Sequence, residues 1–215
     1  MFGPYLLDFA AQHPDLVMDL RLTNGTPDLV EEGIDLAFQL GPLPDGRHVA
    51  RKLWPVRYAL CASLPFVKRY PDVMKLTHPR QLTTLPCILT PPLESWHFER
   101  DGEGDITFVP EIIGAKIEDL ALGAVAAGRG LGLGYLPESL VAGRSSDAFV
   151  SLNLGGWRPR ARDLFAVYPR SRQLSPKVRA AIDHAVAGRD WYKQPREETG
   201  SMTGRRGRAA MALQG

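Results

Sequence analysis

The densest group of residues that could do chemistry is Gly128-Arg129-Gly130-Leu131-Gly132-Leu133-Gly134, because glycine-rich turns let backbone N–H groups approach a phosphate closely. Its spacing does not make a dinucleotide site. The positions that would complete G-x-G-x-x-G are Leu133 and Tyr135, and the element order reads helix, turn, strand where the fingerprint needs strand, turn, helix. No Lys-Ser or Lys-Thr pair supplies a phosphate loop. The run reads instead as a helix stop feeding a tight strand. No serine sits in G-x-S-x-G, so the hydrolase elbow is absent. Cys61 and Cys87 lie in apolar runs, where a thiol behaves as a small buried hydrophobe. His13, His48, His78, His97 and His184 are scattered without paired ligands, and Glu31-Glu32 and Glu118-Asp119 fall at helix ends or first turns. These residues predict no catalytic group, no metal site and no cofactor.

The frame that must position any site is a chain of 215 residues with 44% hydrophobic content, enough for one domain or two small lobes. The longest stretch without charge, Gln81 to Leu93, contains prolines and polar residues and cannot span a bilayer. Met1-Phe2-Gly3-Pro4 followed by Asp8 lacks the basic start and apolar run of an export signal, so a cytoplasmic location is expected. The mild basicity comes from the end of the chain. Residues 192–215 hold five Lys/Arg against two acids, leaving 21 basic and 22 acidic residues before them. That tail, with Arg205-Arg206-Gly207-Arg208, reads as disordered. Trp54, Trp96, Trp157 and Trp191 show no spacing suited to stacking on single strands.

Periodicity predicts a helix over Gly3 to Gln12 and a half-buried strand over Leu16 to Leu22, where Leu16, Met18, Leu20 and Leu22 alternate with Val17, Asp19 and Arg21. A second helix capped by Thr26, with Pro27 first and Gly33 as its left-handed stop, leads to an apolar strand over Ile34 to Leu40. Extended segments follow at 49–53 and 56–62, a short helix at 65–70, and a strand at 85–90 ended by Pro91-Pro92. Glu99 to Asp105 reads as a surface loop before extended pieces at 106–109 and 111–115. Ile117 to Ala127 is the clearest helix, with Glu118 and Asp119 in its first turn. A strand at 131–136, a helix from Pro137, strands at 149–154 and 163–168, and a closing helix from Ser175-Pro176 complete an α/β pattern with mostly parallel strands expected.

Taken in order, several stretches resemble the effector-binding domain of LysR-type transcriptional regulators: Phe9 through Leu22, Asp28-Leu29-Val30-Glu31-Glu32-Gly33-Ile34-Asp35-Leu36-Ala37, Val49-Ala50-Arg51-Lys52-Leu53, Leu60-Cys61-Ala62-Ser63, Leu120 to Gly130, Leu131 to Pro137, Leu164 to Pro169 and Ser175 to Arg179. The resemblance covers roughly residues 2–188. It implies a periplasmic-binding-protein-like α/β fold of two lobes joined by two crossover strands. Lobe I would be residues 1–57 plus 164–191 and lobe II residues 58–163. It also implies that the first strand of lobe I and the winged helix-turn-helix would precede Met1, so this chain alone is expected not to bind operator DNA. Losing such a strand would remove roughly 5–9 kcal/mol of apolar burial, close to a whole domain's stability of about 5–15 kcal/mol, so the isolated chain is expected to be marginal.

Carried over by position, the resemblance implies effector contacts at Thr23 and Asn24, Gln39 and Gly41, Thr90 and Pro91, Ile117 and Glu118, and Tyr168. The expected partners are a small-molecule effector and a second copy, paired antiparallel through the first helix and the 117–127 helix, with no membrane. Two rivals stand beside this reading: a stand-alone solute-binding protein, and a non-functional regulator remnant. An enzyme on the same scaffold is a third possibility in principle, but it lacks a nucleophile, metal or cofactor motif.

Overall fold

The computed structural model describes residues 3–23, 25–43, 48–142, 149–170 and 174–189. Two α/β lobes carry the four sheets of the described residues, one in the first lobe and three in the second. The first sheet has the order β1 (Ala37–Leu40), β11 (Arg162–Pro169), β2 (His48–Val56), with both pairings antiparallel. Helices α1 (Gly3–Gln12) and α5 (Pro176–Ala187) accompany it. Leu6 and Phe9 turn inward from α1 while Leu7 remains 56% exposed, so the helix presents one buried face and one open one. Tyr5 stacks on His184 of α5 and its hydroxyl donates to the His184 carbonyl at 3.0 Å. Ser175 caps α5 by accepting from the Val178 N–H, and Pro176 suits the first turn.

The second lobe is centred on a parallel group. Strand β4 (Cys87–Leu89) runs parallel to β7 (Ile113–Lys116) on one side and to the chain at Leu133 on the other, just before β8 (Gly134–Pro137). Strand β3 (Tyr58–Ala62) pairs antiparallel with β8 and with β9 (Val150–Ser151). The alternation of side chains makes two cores. Cys61, Ile88 and Leu136 pack on one face under α3 (Leu120–Gly128) and α4 (Glu138–Ala142). Leu60, Cys87, Leu133 and Tyr135 face the other way, towards Phe66 of α2 (Leu64–Arg69) and an antiparallel arm of β5 (Trp96–Arg100), β6 (Gly104–Phe108) and β10 (Arg158–Pro159). Trp96, Phe98 and Trp157 bury that arm, while Arg158, Glu99 and Asp101 form ion pairs on its outer face.

Several expectations are corrected. Leu16 to Leu22 is no strand: among the described residues nothing pairs with it, and Val17 is 96% and Leu22 85% exposed. Alternation of side chains fits a strand to a sheet only where a neighbour supplies the hydrogen-bond ladder. Among the described residues no strand pairs with the other edge of β1. Residues 29–33 form hydrogen-bonded turns rather than a helix. Asp28 rather than Thr26 caps them, its carboxylate accepting from the Val30 and Glu31 N–H groups, and Gly33 takes the expected left-handed conformation at φ +66°. Among the described residues parallel pairing is found only around β4; the first sheet is antiparallel, and β1 is half-buried along its length. Glu99 to Asp105 belongs mostly to the β5–β6 hairpin, because its polar residues are the outer half of alternating strands. The tail 192–215 lies outside the described residues.

Candidate functional site

The two lobes are linked by two short crossings that lie side by side. Arg57 alone separates β2 from β3, and Arg160-Ala161 separate β10 from β11. Arg162 at the start of β11 stands opposite Val56 at the end of β2, and Tyr58 at the start of β3 stands opposite Pro137 at the end of β8. The register therefore puts the carboxyl end of β8 at the crossings, together with the ends of its parallel neighbours β4 and β7. The carboxyl end of β1 reaches the same level from the other sheet, since the Gly41 N–H donates to the Asp163 carbonyl at 2.8 Å. Strand ends of both lobes thus converge on one line, the place where open α/β sheets hold ligands.

On the second lobe the structure brings four expected positions together. Thr90 and Pro91 follow β4, Ile117 and Glu118 follow β7, and the Ile117 N–H donates to the Leu89 carbonyl at 2.9 Å. Thr90 is a buried polar residue, only 7% exposed, and its methyl packs against Gly123 of α3. Lys116 reaches across these ends to Glu94 at 2.6 Å. Asp119 is the N-cap of α3, not a first-turn residue, and accepts from the Leu122 N–H at 2.6 Å. An acid already occupies that donor, which disfavours an anion at this helix start.

On the first sheet Gln39 and Gly41 sit together at the crossing end of β1, with Gln39 opposite Phe165. The other expected positions lie apart from them. Thr23 is exposed and lines a separate concavity of about 430 Å³ with Arg21, Leu22 and Glu32. Ile34, ahead of β1, also lines it, so Thr23 is nearer the entry of that strand than its end. Tyr168 pairs with Val49 near the far end of β11, roughly 16 Å along the strand from Asp163 at about 3.3 Å per residue. Asn24 lies outside the described residues.

Two residues at the crossings escape a reading for strand-end contacts. The half-buried Arg162 donates from Nε to the Gly41 carbonyl at 2.9 Å and from Nη2 to the Leu40 carbonyl at 3.4 Å. Its charge also acts on Tyr58, whose phenol is pushed up by burial and drawn back by this guanidinium. Tyr58 stacks on Tyr135, and the Tyr135 hydroxyl donates to the His97 carbonyl at 2.8 Å. The only sequence signal for Arg162 is a cation at the mouth of an apolar strand. Elsewhere, burial pushes both the Cys61 and Cys87 thiols up to about 12. Both cysteines are buried and free, as their apolar settings indicated. Among the described residues no three His, Cys, Asp or Glu gather as metal ligands. No described helix is long and apolar enough to cross a membrane.

The LysR substrate binding domain model matches residues 1–189. This chain belongs to the LysR substrate binding domain family. A relative described as an HTH-type transcriptional regulator, from Xanthomonas campestris pv. campestris, is 32% identical over 191 residues, covering 86% of this chain and 54% of the relative. The chain thus spans about half the length of that curated relative. The regulatory domain of AphB in Vibrio vulnificus has the same architecture, with a TM-score of 0.69 at 26% identity over 87% of this chain and 91% of that one. Full-length AphB, described as a Vibrio cholerae virulence activator, superposes with a TM-score of 0.71 at 24% identity, covering 87% of this chain and 63% of that chain. These relatives of the LysR domain are regulators rather than enzymes.

Proposed function

We propose that this LysR substrate binding domain senses a small-molecule effector in the crevice at its crossings, without chemical conversion, as the signal-receiving part of a cytoplasmic transcription regulator. The observation that carries the reading is the convergence of Gln39 and Gly41 with Thr90, Pro91, Ile117 and Glu118 on the line of strand ends beside the crossings. Lobe I is taken as residues 1–57 plus 164–191 and lobe II as residues 58–163; the crossing at Arg57 supports the first limit, while β11 already joins the first sheet from Arg162. An effector that binds one lobe arrangement better than another shifts their populations, and only that differential affinity makes a signal.

Thr23, Asn24 and Tyr168 remain expected contacts of the same effector; Thr23 and Tyr168 lie apart from Gln39 and Gly41 within the first lobe. Isothermal titration with Thr23→Ala, Gln39→Ala and Thr90→Ala variants tests the whole assignment. Loss of affinity in Gln39→Ala and Thr90→Ala is expected, and unchanged affinity in all three would remove it.

The domain pairs with a second copy through α1 and the 117–127 helix. Leu7 on α1 and Leu122 on α3 are both more than half exposed, at 56% and 54%, and offer one large apolar side chain on each proposed face. Sedimentation of Leu7→Glu and Leu122→Glu variants should report monomers where the parent reports dimers, and dimers persisting in both would refute this interface.

A further inference from the structure

We infer that the crevice selects an effector carrying an ammonium group, bound between the Thr90 hydroxyl and the carboxylates of Glu118 and Asp119 at the start of α3. This rests on the sensing reading above and adds to it the charge of the compound. Thr90 is the residue that points to a ligand. It is 7% exposed, its methyl packs against Gly123 of α3, and its hydroxyl is therefore turned off that contact. Among the described residues nothing hydrogen-bonds this hydroxyl, yet the sealed polar side-chain atoms without a partner are only His48 Nδ1, Ser63 Oγ and Trp157 Nε1. The Thr90 oxygen is thus unpaired and still reachable from outside the fold. A polar group so deeply set is left without a bond only where a further molecule can supply one.

The start of α3 lies beside it. The Asp119 carbonyl accepts from the Gly123 N–H at 2.8 Å, so Asp119 stands one turn from the residue that the Thr90 methyl touches. Ile117, whose N–H is held by the Leu89 carbonyl, ties this helix start to the end of β4, which Thr90 follows. Helix starts ordinarily attract anions, because their N–H groups are unpaired and carry partial positive charge. Here the Leu122 N–H is already taken by Asp119 Oδ1, and Glu118 adds a second exposed carboxylate one residue earlier. An incoming carboxylate would meet two like charges. An ammonium has three donors, one for the Thr90 oxygen and one for each acid.

The cations near the crossings do not restore an anion site. Lys116 is bonded to Glu94 at 2.6 Å, Lys52 to Asp163 at 2.7 Å and Arg160 to Asp105 at 2.9 Å. Arg162 spends Nε and Nη2 on the carbonyls of Gly41 and Leu40. Arg57 is exposed, but its carbonyl accepts from the N–H of Glu138, so an acid opens α4 directly beside it. Gln39, at the end of β1, is neutral and can both donate and accept. Charge arranged in this way decides which compound is admitted. Bonds from a charged donor favour an amine over the matching acid by about tenfold to a hundredfold.

The test uses the full chain and probes matched in skeleton: benzylamine, benzyl alcohol and benzoate, with pentylamine, pentanol and pentanoate, titrated by thermal shift and calorimetry at low and high salt. The amines should raise Tm and bind at least about tenfold more tightly than the acids, with the alcohols between them and the preference shrinking at high salt. Asp119→Asn removes one charge but keeps the helix cap, since Asn caps as well as Asp; Glu118→Gln removes the other. Melting without ligand checks that each variant folds. Each should cut amine affinity and leave alcohol affinity nearly unchanged, a split that a general weakening of the fold would not give. Acids binding as tightly as amines, amine affinity unchanged in both variants, or no binding of either amine would overturn the ammonium assignment. Acid binding that Thr90→Ala abolishes would overturn it while leaving the sensing reading intact, and a chain that binds neither these probes nor any metabolite would lose both.

Discussion

Two glycine-to-alanine substitutions, chemically identical, are expected to shift stability in opposite directions. Gly114 lies in β7 with ordinary backbone angles, yet a Cβ there would stand 2.0 Å from the Leu131 carbonyl oxygen and 3.3 Å from Pro86. The neighbour is backbone and cannot rotate away, so β7 must peel from β4. Overpacking of this kind and the loss of one or two ladder bonds amount together to about 2–6 kcal/mol, which lowers Tm by roughly 5–20 °C for a chain of this size. Gly128 ends α3, and a Cβ there would meet only the Phe149 ring at 3.6 Å, an ordinary contact. Gly128→Ala should therefore be neutral or stabilising, by up to about 1 kcal/mol from reduced unfolded-chain freedom. Thermal melts followed by circular dichroism measure both. Because β7 leads into Ile117 and Glu118, Gly114→Ala should also weaken effector binding. A Gly114→Ala Tm equal to that of the parent, or a fall of the same size in both variants, would refute the reasoning from close approach.

Further outcomes follow from burial. Cys61 and Cys87 should not react with a disulfide reagent in the folded chain and should both react in denaturant, as expected for thiols pushed up to about 12. The unfolded chain ionises these thiols from about pH 9, so their contribution to stability is present below that value and is lost as pH rises towards 12. Urea midpoints should fall across this range in the parent and less steeply in a Cys61→Ala, Cys87→Ala variant; equal slopes would exclude the thiols as the cause. Hydrogen exchange should be fastest over Leu16 to Leu22 and along β1, and slowest in β3, β4 and β8, because both large apolar clusters lie in the second lobe. Protection of Leu16 to Leu22 equal to that of β3 would contradict the open edge.

What the sequence made legible depended on whether an element is specified locally. Helix α1 spans the expected Gly3–Gln12 and α5 begins at the expected Ser175-Pro176, since capping residues and a helical apolar stripe are local signals. Leu16 to Leu22 carried an equally clear alternation and still forms no strand, because its partner is not a property of its own residues. Strand direction was hidden for the same reason: the apolar stretch ending at Leu40 suits either pairing, and β11 determines which it adopts. The polar string Glu99 to Asp105 masked a hairpin whose other face is buried through Phe98 and Phe108. At the site, Thr90 with Ile117 and Gln39 with Gly41 were legible as strand ends. Arg162 was not, since its role comes from touching residues more than 100 positions away in sequence.

The most direct test of small-molecule sensing is a melting-point screen of the full chain against a metabolite library, with each stabilising compound recovered and analysed afterwards. The account predicts that at least one compound raises Tm with increasing concentration, as binding to the folded form alone requires, that it is recovered chemically unchanged, and that Thr90→Ala weakens the rise. A compound recovered as a reaction product, or a rise unaffected by both Thr90→Ala and Gln39→Ala, would contradict it.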